Sequence, residues 1–404
     1  MTRQPIYLDG FSTTPLAPEA LAAMQAAWAG PGNASSPHAA GQRALAILDR
    51  GRKQVADLIG CSAGEVIFTS GATEANNLAL RGIAEWGRRG GSERRRVVVS
   101  AIEHKAVLEA AKRLVLDRFE VVVAPVDRAG VIDLTRLEAL VDDETLLVSV
   151  MLVNNETGVV QPIREVAQIC RSRGVLLHSD GAQGVGKRPV NVFDLGVDYL
   201  SISAHKLYGP MGVGALYVAS DAPKPVAQVF GGGHERGMRA GTEPVPLVAG
   251  FGAAAEVARS CLEADSERSA MLKDAFVQAL SAAGVSYNFV TERAPVIDGG
   301  LALSFPSTSG DDLAGRVSKR LCISTGSACN SGQVTFSHVL QAMGIDGDVS
   351  QSVVRFFFGR MNTIEEVRSA ALIIAEAVNE ARTPLDESAS ERYGVGHEAC
   401  AYRP

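Results

Sequence analysis

Short apolar runs alternate with longer amphipathic segments over residues 60–220. The apolar runs are rich in β-branched residues and predict strands near residues 97–99, 121–123, 146–153, 175–177, 199–202 and 213–218. The segments between them repeat apolar residues at helical spacing and predict helices at 73–89, 105–116 and 162–173. This alternation is typical of a mostly parallel sheet covered by helices on both faces. In such sheets ligands bind at the carboxyl ends of the strands.

The pattern changes after residue 245. A segment with hardly a helix-breaking residue runs from 246 to 282 and predicts a long helix that links to a second domain. That domain would contain strands near 301–305 and 353–358 and a final helix at 365–382, while early helices at 18–29 and 41–59 could pack against either domain. We therefore predict a large domain at residues 15–255, a smaller α+β domain made of residues 1–14 and 256–382, and a flexible tail at 383–404.

Composition narrows the classes of function. The 404-residue chain has a net charge of −6, and its Lys and Arg residues are scattered apart from the run Arg94-Arg95-Arg96, which argues against a nucleic-acid partner. No apolar run approaches the roughly 18 residues of a membrane helix, so we expect no membrane partner and a cytoplasmic location. The six cysteines are far apart and show no CxxC spacing, which argues against a disulfide framework or a metal site.

A lysine that follows a predicted strand gives the strongest chemical signal. Lys206 stands directly after Ser203-Ala204-His205, so hydroxyl and imidazole groups lie beside it. A lysine amine held in this way can form a Schiff base with an aldehyde cofactor. Asp180 ends the preceding predicted strand, where its carboxylate can keep a pyridine nitrogen protonated. Either residue alone could be an ordinary loop charge, but at the ends of adjacent strands the two together favour such a cofactor.

Residues 69–77 follow another predicted strand and open a helix. The backbone amides there and the Thr73 hydroxyl can cradle a phosphate group. The alternative is a plain capping box, in which Ser70 or Thr73 caps the helix. Taken together with Lys206, the segment favours phosphate binding.

Two cysteines near the C-terminal end differ in their surroundings. Cys329 lies among glycine, serine and other small residues at 324–332, which cannot build a core, so we expect its thiol on a mobile, solvent-reachable loop. A mobile thiolate can reach a substrate sulfur and then present it to a second protein. Cys322 stands between Leu321 and Ile323, and by the same reasoning we expect it in the core.

Taken in order, these segments resemble the class V aminotransferase family of fold-type-I pyridoxal-phosphate enzymes. Within that family they resemble the cysteine desulfurases of iron–sulfur-cluster assembly and nitrogenase maturation. The resemblance covers about residues 6–382 and rests on these stretches: Tyr7-Leu8-Asp9 with Thr13-Thr14, Gly32-Asn33 with Ser35-Ser36 and His38, 70–77, Glu103-His104, 153–158, 178–183, 203–209, 239–243, 326–329, and Arg355 with Gly359-Arg360. It implies an α/β fold with a mostly parallel sheet in the large domain, and pyridoxal 5'-phosphate as cofactor.

The resemblance also implies roles for particular residues. Lys206 would carry the cofactor, Asp180 would face the ring nitrogen and Gln183 the ring hydroxyl oxygen. The phosphate ligands would be Ala72, Thr73, Ser203 and His205, with Thr242 supplied across the interface of a homodimer. His104 would stack on the ring and move protons, Asn155 and Arg355 would bind the substrate carboxylate, and Cys329 would accept sulfur. The alternatives are a satisfied buried histidine for His104 and a structural buried arginine for Arg355.

The implied reaction converts L-cysteine to L-alanine, with sulfur held as a persulfide on Cys329 and passed to an acceptor or scaffold protein. One rival is a selenocysteine lyase or cysteine C–S lyase with the same cofactor, which needs no thiol on a mobile loop. Another is a non-catalytic scaffold, which would have lost residues such as Lys206. The chain departs from the family pattern after Asp9, where Gly10-Phe11-Ser12 replaces asparagines and alanine. This change bears on the shape of the substrate entrance.

Overall fold

The computed structural model describes residues 4–306, 308–326 and 336–382. The strands are β1 (Ile6–Tyr7), β2 (Val66–Thr69), β3 (Arg96–Ser100), β4 (Glu120–Ala124), β5 (Thr145–Ser149), β6 (Leu176–Asp180), β7 (Tyr199–Ser203), β8 (Gly214–Val218), β9 (Asn288–Phe289), β10 (Gly300–Ser304), β11 (Leu321–Cys322), β12 (Ser324–Thr325) and β13 (Val353–Phe357). The helices are α1 (Pro18–Trp28), α2 (Ala39–Ile59), α3 (Ala72–Arg89), α4 (Lys105–Leu114), α5 (Leu134–Leu140), α6 (Ile163–Ser172), α7 (Val192–Leu195), α8 (Val245–Ala282), α9 (Gly310–Val317), α10 (His338–Ala342), α11 (Gly347–Gln351) and α12 (Ile364–Arg382).

The large sheet has the strand order β2-β8-β7-β6-β5-β3-β4, and the strands from β7 to β4 are parallel. Among the described strands of this sheet, β8 alone runs in the opposite direction, antiparallel to both β2 and β7. The central strands β5 and β7 are buried along their whole length, as expected for a sheet covered on both faces. The register pairs Asp180 on β6 with Ser201 on β7, so the carboxyl ends of these two strands are neighbours. The mostly parallel α/β fold is confirmed.

One predicted strand is shorter than expected. The apolar run at 146–153 predicted a strand through Val153, but β5 ends at Ser149. Val150 to Val153 are nevertheless fully buried, which explains why their composition looked like a strand. After β5 the chain turns instead and brings Asn155 to the end of the sheet.

A second, antiparallel sheet has the order β12-β13-β10-β9. Arg355 lies in the middle of β13, where it pairs with Ala302 on β10 and Ser324 on β12. Its neighbours Val354 and Phe356 point into a core. Because side chains alternate across a strand, Arg355 faces away from that core.

Helix α8 contributes to two hydrophobic cores. Its first half places Phe251 in the core around the large sheet, and its second half places Phe276 in a core with Phe356 and Phe358. The ring centroid of Phe276 lies 4.9 Å from that of Phe356 and 5.1 Å from that of Phe358. Truncating such a ring to alanine typically costs about 3–5 kcal/mol, so the packing of Phe276 anchors α8 to the second sheet.

By length and composition alone, α8 is the one helix of the described residues that could cross a membrane. The expectation that no apolar segment comes near that length was therefore too strong. The helix packs against α1, α2 and α12, and residues along it such as Val248 and Leu272 are fully buried in the protein. The apolar character of α8 is accounted for by these contacts with the two cores.

Candidate active site

A cavity of about 950 Å³ opens at the carboxyl ends of the parallel strands. Ten of the twelve predicted site residues line it, namely Ala72, Thr73, His104, Asn155, Asp180, Gln183, Ser203, His205, Lys206 and Arg355. Its size is that of a typical small-molecule site. Thr242 does not line the cavity and is exposed on the chain surface. Cys329 lies outside the described residues.

Lys206 lies in a short 3₁₀ turn, Ala204–Lys206, that directly follows β7. Its Nζ donates hydrogen bonds to the backbone carbonyl oxygens of Phe11 at 2.5 Å and Ser12 at 2.7 Å. Burial lowers the pKa of Lys206 to about 8, and the positive charge of Arg355 lowers this pKa further. A lysine with such a pKa is neutral, and therefore nucleophilic, in a useful fraction of molecules near neutral pH.

The N-terminal segment that follows β1 passes next to Lys206. It also forms hydrogen bonds with His205, the residue before Lys206 in the sequence. The Thr14 backbone N–H and hydroxyl both donate to the His205 carbonyl oxygen, at 2.9 Å each. The His205 Nδ1 lies 3.1 Å from the Thr13 hydroxyl oxygen. Burial, followed by the charges of Lys206 and Lys187, lowers the pKa of His205 to about 4. His205 is therefore a neutral hydrogen-bonding group at physiological pH.

Asp180 ends β6 and is almost fully buried at the cavity wall. One carboxylate oxygen accepts from Asn76 Nδ2 at 2.7 Å, and the other accepts from the backbone N–H of Ala182 at 3.0 Å. Within the described part of the chain, no Lys, Arg or His nitrogen lies within 4.0 Å of this carboxylate. A buried carboxylate without a cationic partner is costly, and it suits a ligand that brings a protonated nitrogen.

Helix α3 begins at the cavity without a side-chain cap. Its first residue is Ala72, and its N-cap is Gly71, which has a φ of 146° and no side chain to offer. The capping-box alternative with Ser70 or Thr73 as the N-cap is therefore wrong. A Cβ on Gly71 would lie 3.7 Å from the Ser203 hydroxyl oxygen, so the glycine leaves open the space between this helix end and β7. Uncapped N–H groups at a helix start bind anions such as phosphate.

His104 also lines the cavity and is the N-cap of α4. Its Nδ1 accepts a hydrogen bond from the backbone N–H of Ala106 at 3.0 Å. Because an accepting nitrogen carries no proton, the proton of the neutral ring sits on Nε2. Burial lowers the pKa of His104 below its usual value. The ring is thus held in one tautomer at the cavity wall.

Arg355 reaches the cavity from the second sheet. Its Nε donates to the Ser324 hydroxyl at 2.7 Å, one terminal nitrogen donates to the Asn155 carbonyl at 3.1 Å, and the other donates to the Ser12 hydroxyl at 2.7 Å. The Asp9 carboxylate in turn accepts hydrogen bonds from both serine hydroxyls. The guanidinium also lies 3.8 Å from the Asp9 carboxylate. Among the described residues each terminal nitrogen makes one hydrogen bond, which leaves a second N–H on each for a further acceptor. This pair of donors matches the two oxygens of a carboxylate.

Gly326 and Ser337, which lie near the two ends of segment 327–335, are both close to one buried carboxyl group. Glu156 accepts from the Ser337 hydroxyl at 2.5 Å, and a Cβ on Gly326 would lie 2.7 Å from the same carboxyl group. Burial raises the pKa of Glu156 above its usual value. Cys322, expected in the core, is only partly buried on β11. This two-residue strand pairs only with β1 among the described residues and leaves Cys322 at the edge.

Three residues that act on the site were missed by the sequence analysis. They are Asn76, which donates to Asp180, and the serines Ser12 and Ser324, which hold Arg355. Asn76 is a fully buried polar residue on the apolar side of α3, and this position was a signal that the sequence offered. The serines offered none, because their contacts with Arg355 depend on the tertiary fold.

The fold is that of the fold-type-I α/β transferases. The family model for aminotransferase class V matches residues 6–369. The chain belongs to this family.

Within this family, the chain is similar to proteins named as cysteine desulfurases. The chain is 40% identical over 392 residues to the cysteine desulfurase IscS of Rickettsia bellii, covering 96% of this chain and 95% of the relative. It is 44% identical over 367 residues to the human cysteine desulfurase, covering 90% of this chain and 79% of the relative. Among solved structures, a NifS-like protein matches with a TM-score of 0.86 and 35% identity over 93% of this chain and all of that one. The structure of SspA in complex with cysteine matches with a TM-score of 0.77 and 32% identity, over 88% of this chain and 99% of that one.

Proposed function

We propose that the protein is a pyridoxal-phosphate-dependent cysteine desulfurase. It converts L-cysteine to L-alanine and transfers the sulfur atom to the thiol of Cys329, which becomes a persulfide. The observation that carries this proposal is that the buried Asp180 carboxylate, which has no ion-pair partner among the described residues, and Lys206 lie at adjacent strand ends of one cavity. Similarity to cysteine desulfurases along almost the whole chain supports it.

The residues present fit pyridoxal phosphate. The uncapped start of α3, at Ala72 and Thr73, faces Ser203 across the space that Gly71 leaves open, and this space suits the phosphate. Asp180 suits the protonated ring nitrogen because no cation of the described residues lies within ion-pair distance of its carboxylate. When bound, this cofactor supplies an electron sink for the carbanion formed at the substrate α-carbon.

The protein's own groups would then divide the remaining tasks. Arg355 binds the substrate carboxylate with its two spare N–H groups and orients the α-carbon. Lys206, whose pKa is about 8, is basic enough to accept the α-proton and acidic enough to return it. His104 holds a proton on Nε2 at the cavity wall, where it can donate to a leaving or incoming group. Asn155 helps by fixing Arg355 through its carbonyl oxygen.

Sulfur transfer balances without an outside oxidant. The Cys329 thiolate attacks the sulfur of L-cysteine, a new S–S bond forms, and the C–S bond breaks. The β-carbon keeps the electron pair and takes up a proton, which gives L-alanine and the Cys329 persulfide. The Cys322 thiol is a poor competitor because burial raises its pKa above the usual value, which keeps it protonated.

We also propose a cytoplasmic homodimer in which Thr242 completes the phosphate site of the partner subunit. Thr242 is exposed and follows Gly241, whose φ is 106°, so it is available to a neighbouring chain. Two-fold symmetry is the commonest way to build shared sites. Sedimentation that shows a fully active monomer would remove Thr242 from the site. The persulfide would pass to an acceptor or scaffold protein.

The products formed from L-cysteine test the reaction. A desulfurase releases alanine in an amount equal to the sulfur transferred, and it forms no pyruvate. A cysteine C–S lyase releases pyruvate, ammonia and sulfide in equal amounts. Pyruvate as the main product would replace the desulfurase by this lyase and leave the cofactor assignment intact.

A further inference from the structure

Lys187 is a partly buried lysine for which the proposed reaction has no use. Its Nζ donates to the side-chain oxygen of Gln183 at 2.8 Å and lies 4.5 Å from the ring centroid of Phe357 and 5.8 Å from that of Phe11. Among the residues that the structure describes, no carboxylate forms an ion pair with it. Burial, followed by the charge of Lys206, lowers the pKa of Lys187 well below its usual value. A lysine kept here without a counter-charge is costly.

The contact with Lys187 fixes the orientation of the Gln183 amide. The Gln183 Nε2 donates to the Phe11 carbonyl oxygen at 2.7 Å, and the same oxygen accepts from Lys206 at 2.5 Å. Turning the amide by 180° would set its oxygen against the Phe11 carbonyl oxygen, and the hydrogen bond to Phe11 would be lost because a carbonyl only accepts. It would also remove the acceptor to which the Lys187 amine donates in the observed orientation. Lys187 and Phe11 therefore hold the Gln183 nitrogen on the side of Lys206.

The two aromatic rings that face Lys187 are themselves tightly placed. Phe11 and Phe357 meet edge to face with ring centroids 5.4 Å apart. Gly10 leaves room for this contact, because a Cβ there would come within 2.3 Å of Phe357 Cδ1. Gly300 leaves room in the same way, because its Cβ would lie 3.0 Å from Phe11 Cζ. The ring faces attract a cation that has lost its water. The segment that departs from the family pattern thus shapes the surroundings of Lys187.

We propose that Lys187 is a positioning residue that fixes the Gln183 amide with its spare N–H group toward the cavity, so that Gln183 donates to the ring oxygen of the bound cofactor. This inference rests on the proposed function and adds a residue to its site. Gln183 lines the cavity, and only one of its two amide N–H groups is taken up by Phe11. Without Lys187 the Gln183 oxygen loses its donor, and the two amide orientations become closer in free energy.

A double-mutant cycle on cofactor binding tests the proposal. Lys187→Met keeps the aliphatic bulk of the side chain and removes the donor. Titration of the apoprotein with pyridoxal phosphate should show a dissociation constant raised about tenfold, the usual effect of one buried hydrogen bond. The visible absorption band of the bound cofactor should also shift, because its ring oxygen has lost an N–H donor. In a Gln183→Ala background the same change should have little further effect, because Lys187 acts through Gln183. Lys224→Met is the matched control, since within the described part of the chain the Lys224 amine donates only to the backbone carbonyls of Ala219 and Ser220, which do not line the cavity.

Each outcome decides something. The positioning role would be overturned if Lys187→Met left the dissociation constant of pyridoxal phosphate unchanged. It would also be overturned if Lys187→Met lowered cofactor affinity by the same factor in the wild-type and Gln183→Ala backgrounds. If the methionine variant does not fold, Lys187→Ala serves in the same cycle, because its lost volume adjoins a cavity of about 20 Å³ beside Gly186 that can hold water. Wild-type protein that binds no pyridoxal phosphate would overturn the proposed function itself, and this result differs from both of the others.

Discussion

Arg355 donates a hydrogen bond to the backbone carbonyl oxygen of Asn155 at 3.1 Å. Arg355 belongs to the second sheet and Asn155 to the loop that leaves the large sheet, so the contact joins the two sheets at the cavity. Ser12 of the N-terminal segment holds the same guanidinium from another side. A substrate carboxylate bound by Arg355 would therefore be oriented by three segments that are far apart in the sequence.

The first prediction concerns the geometry of Arg355. Arg355→Lys keeps the charge but cannot present two parallel N–H groups to a carboxylate. We expect kcat/KM for L-cysteine to fall about 100-fold, mainly through a higher KM. Arg320→Lys is the control, because among the described residues the Arg320 side chain contacts only Glu376, in an exposed ion pair. Steady-state kinetics that show an unchanged KM for Arg355→Lys would leave Arg355 with a structural role alone.

The second prediction concerns Lys206. Protein supplied with pyridoxal phosphate should be yellow, and borohydride should remove the colour by fixing the cofactor on Lys206. Peptide mass analysis locates the label. Lys187→Met should still be labelled at Lys206 when the cofactor is in excess, since Lys187 does not react. A label found mainly on another lysine would contradict the assignment.

The third prediction concerns the buried Glu103. Burial raises the pKa of Glu103 to about 8 from an ordinary value of 4.5, although its carboxyl group accepts from Ser100 and from the Met151 backbone. Between these two pH values the folded protein binds more protons at this group than the unfolded chain does, so stability falls as pH rises, by roughly 1.4 kcal/mol per pH unit. Glu103→Gln cannot titrate and loses this dependence.

Melting temperatures of wild type and Glu103→Gln at pH 5, 6 and 7 measure the effect. The wild type should lose stability relative to the variant as pH rises. The other titrating groups, His104 and His205 among them, are common to both proteins and cancel in the difference. If the difference in melting temperature between wild type and Glu103→Gln stayed constant from pH 5 to 7, Glu103 would be ionised in the folded protein over this range.

The fourth prediction concerns the buried ion pair between Arg52 of α2 and Glu235. The Glu235 carboxylate accepts from both terminal nitrogens of Arg52, at 2.7 and 2.8 Å, and from the Phe68 backbone N–H at 2.9 Å. Glu235→Ala leaves a buried guanidinium without its partner and should cost about 3–5 kcal/mol. Asp57→Ala, which breaks the exposed pair with Lys53, should cost less than about 1 kcal/mol. Equal melting temperatures for the two variants would contradict this account.

The position of reactive residues at strand ends was predictable from the sequence, because a parallel sheet brings the carboxyl ends of its strands to one edge. Lys206 and Asp180 were placed correctly at the cavity for this reason. The contacts that tune them were not predictable. Asn76 bonds Asp180 across 104 residues, and Ser12 bonds Arg355 across 343 residues. Such pairs depend on how the elements pack. The sequence marked Asn76 as a polar residue on the apolar side of α3, but no local pattern indicated its partner. The short helices α5 and α9 were missed because they make only about two turns each.

Alanine formation by Cys329→Ser tests the central claim most directly. The variant and the wild type are each mixed with L-cysteine without a reductant, and alanine is measured over one turnover. We expect about one alanine per active site from the wild type, with an extra sulfur atom found on Cys329 by mass spectrometry. Cys322→Ser should behave like the wild type. Cys329→Ser should bind the cofactor normally and form no alanine, because a serine hydroxyl is too weakly acidic to supply the nucleophile. Alanine formed by Cys329→Ser at the wild-type rate, with no persulfide on any cysteine, would contradict the sulfur-transfer mechanism.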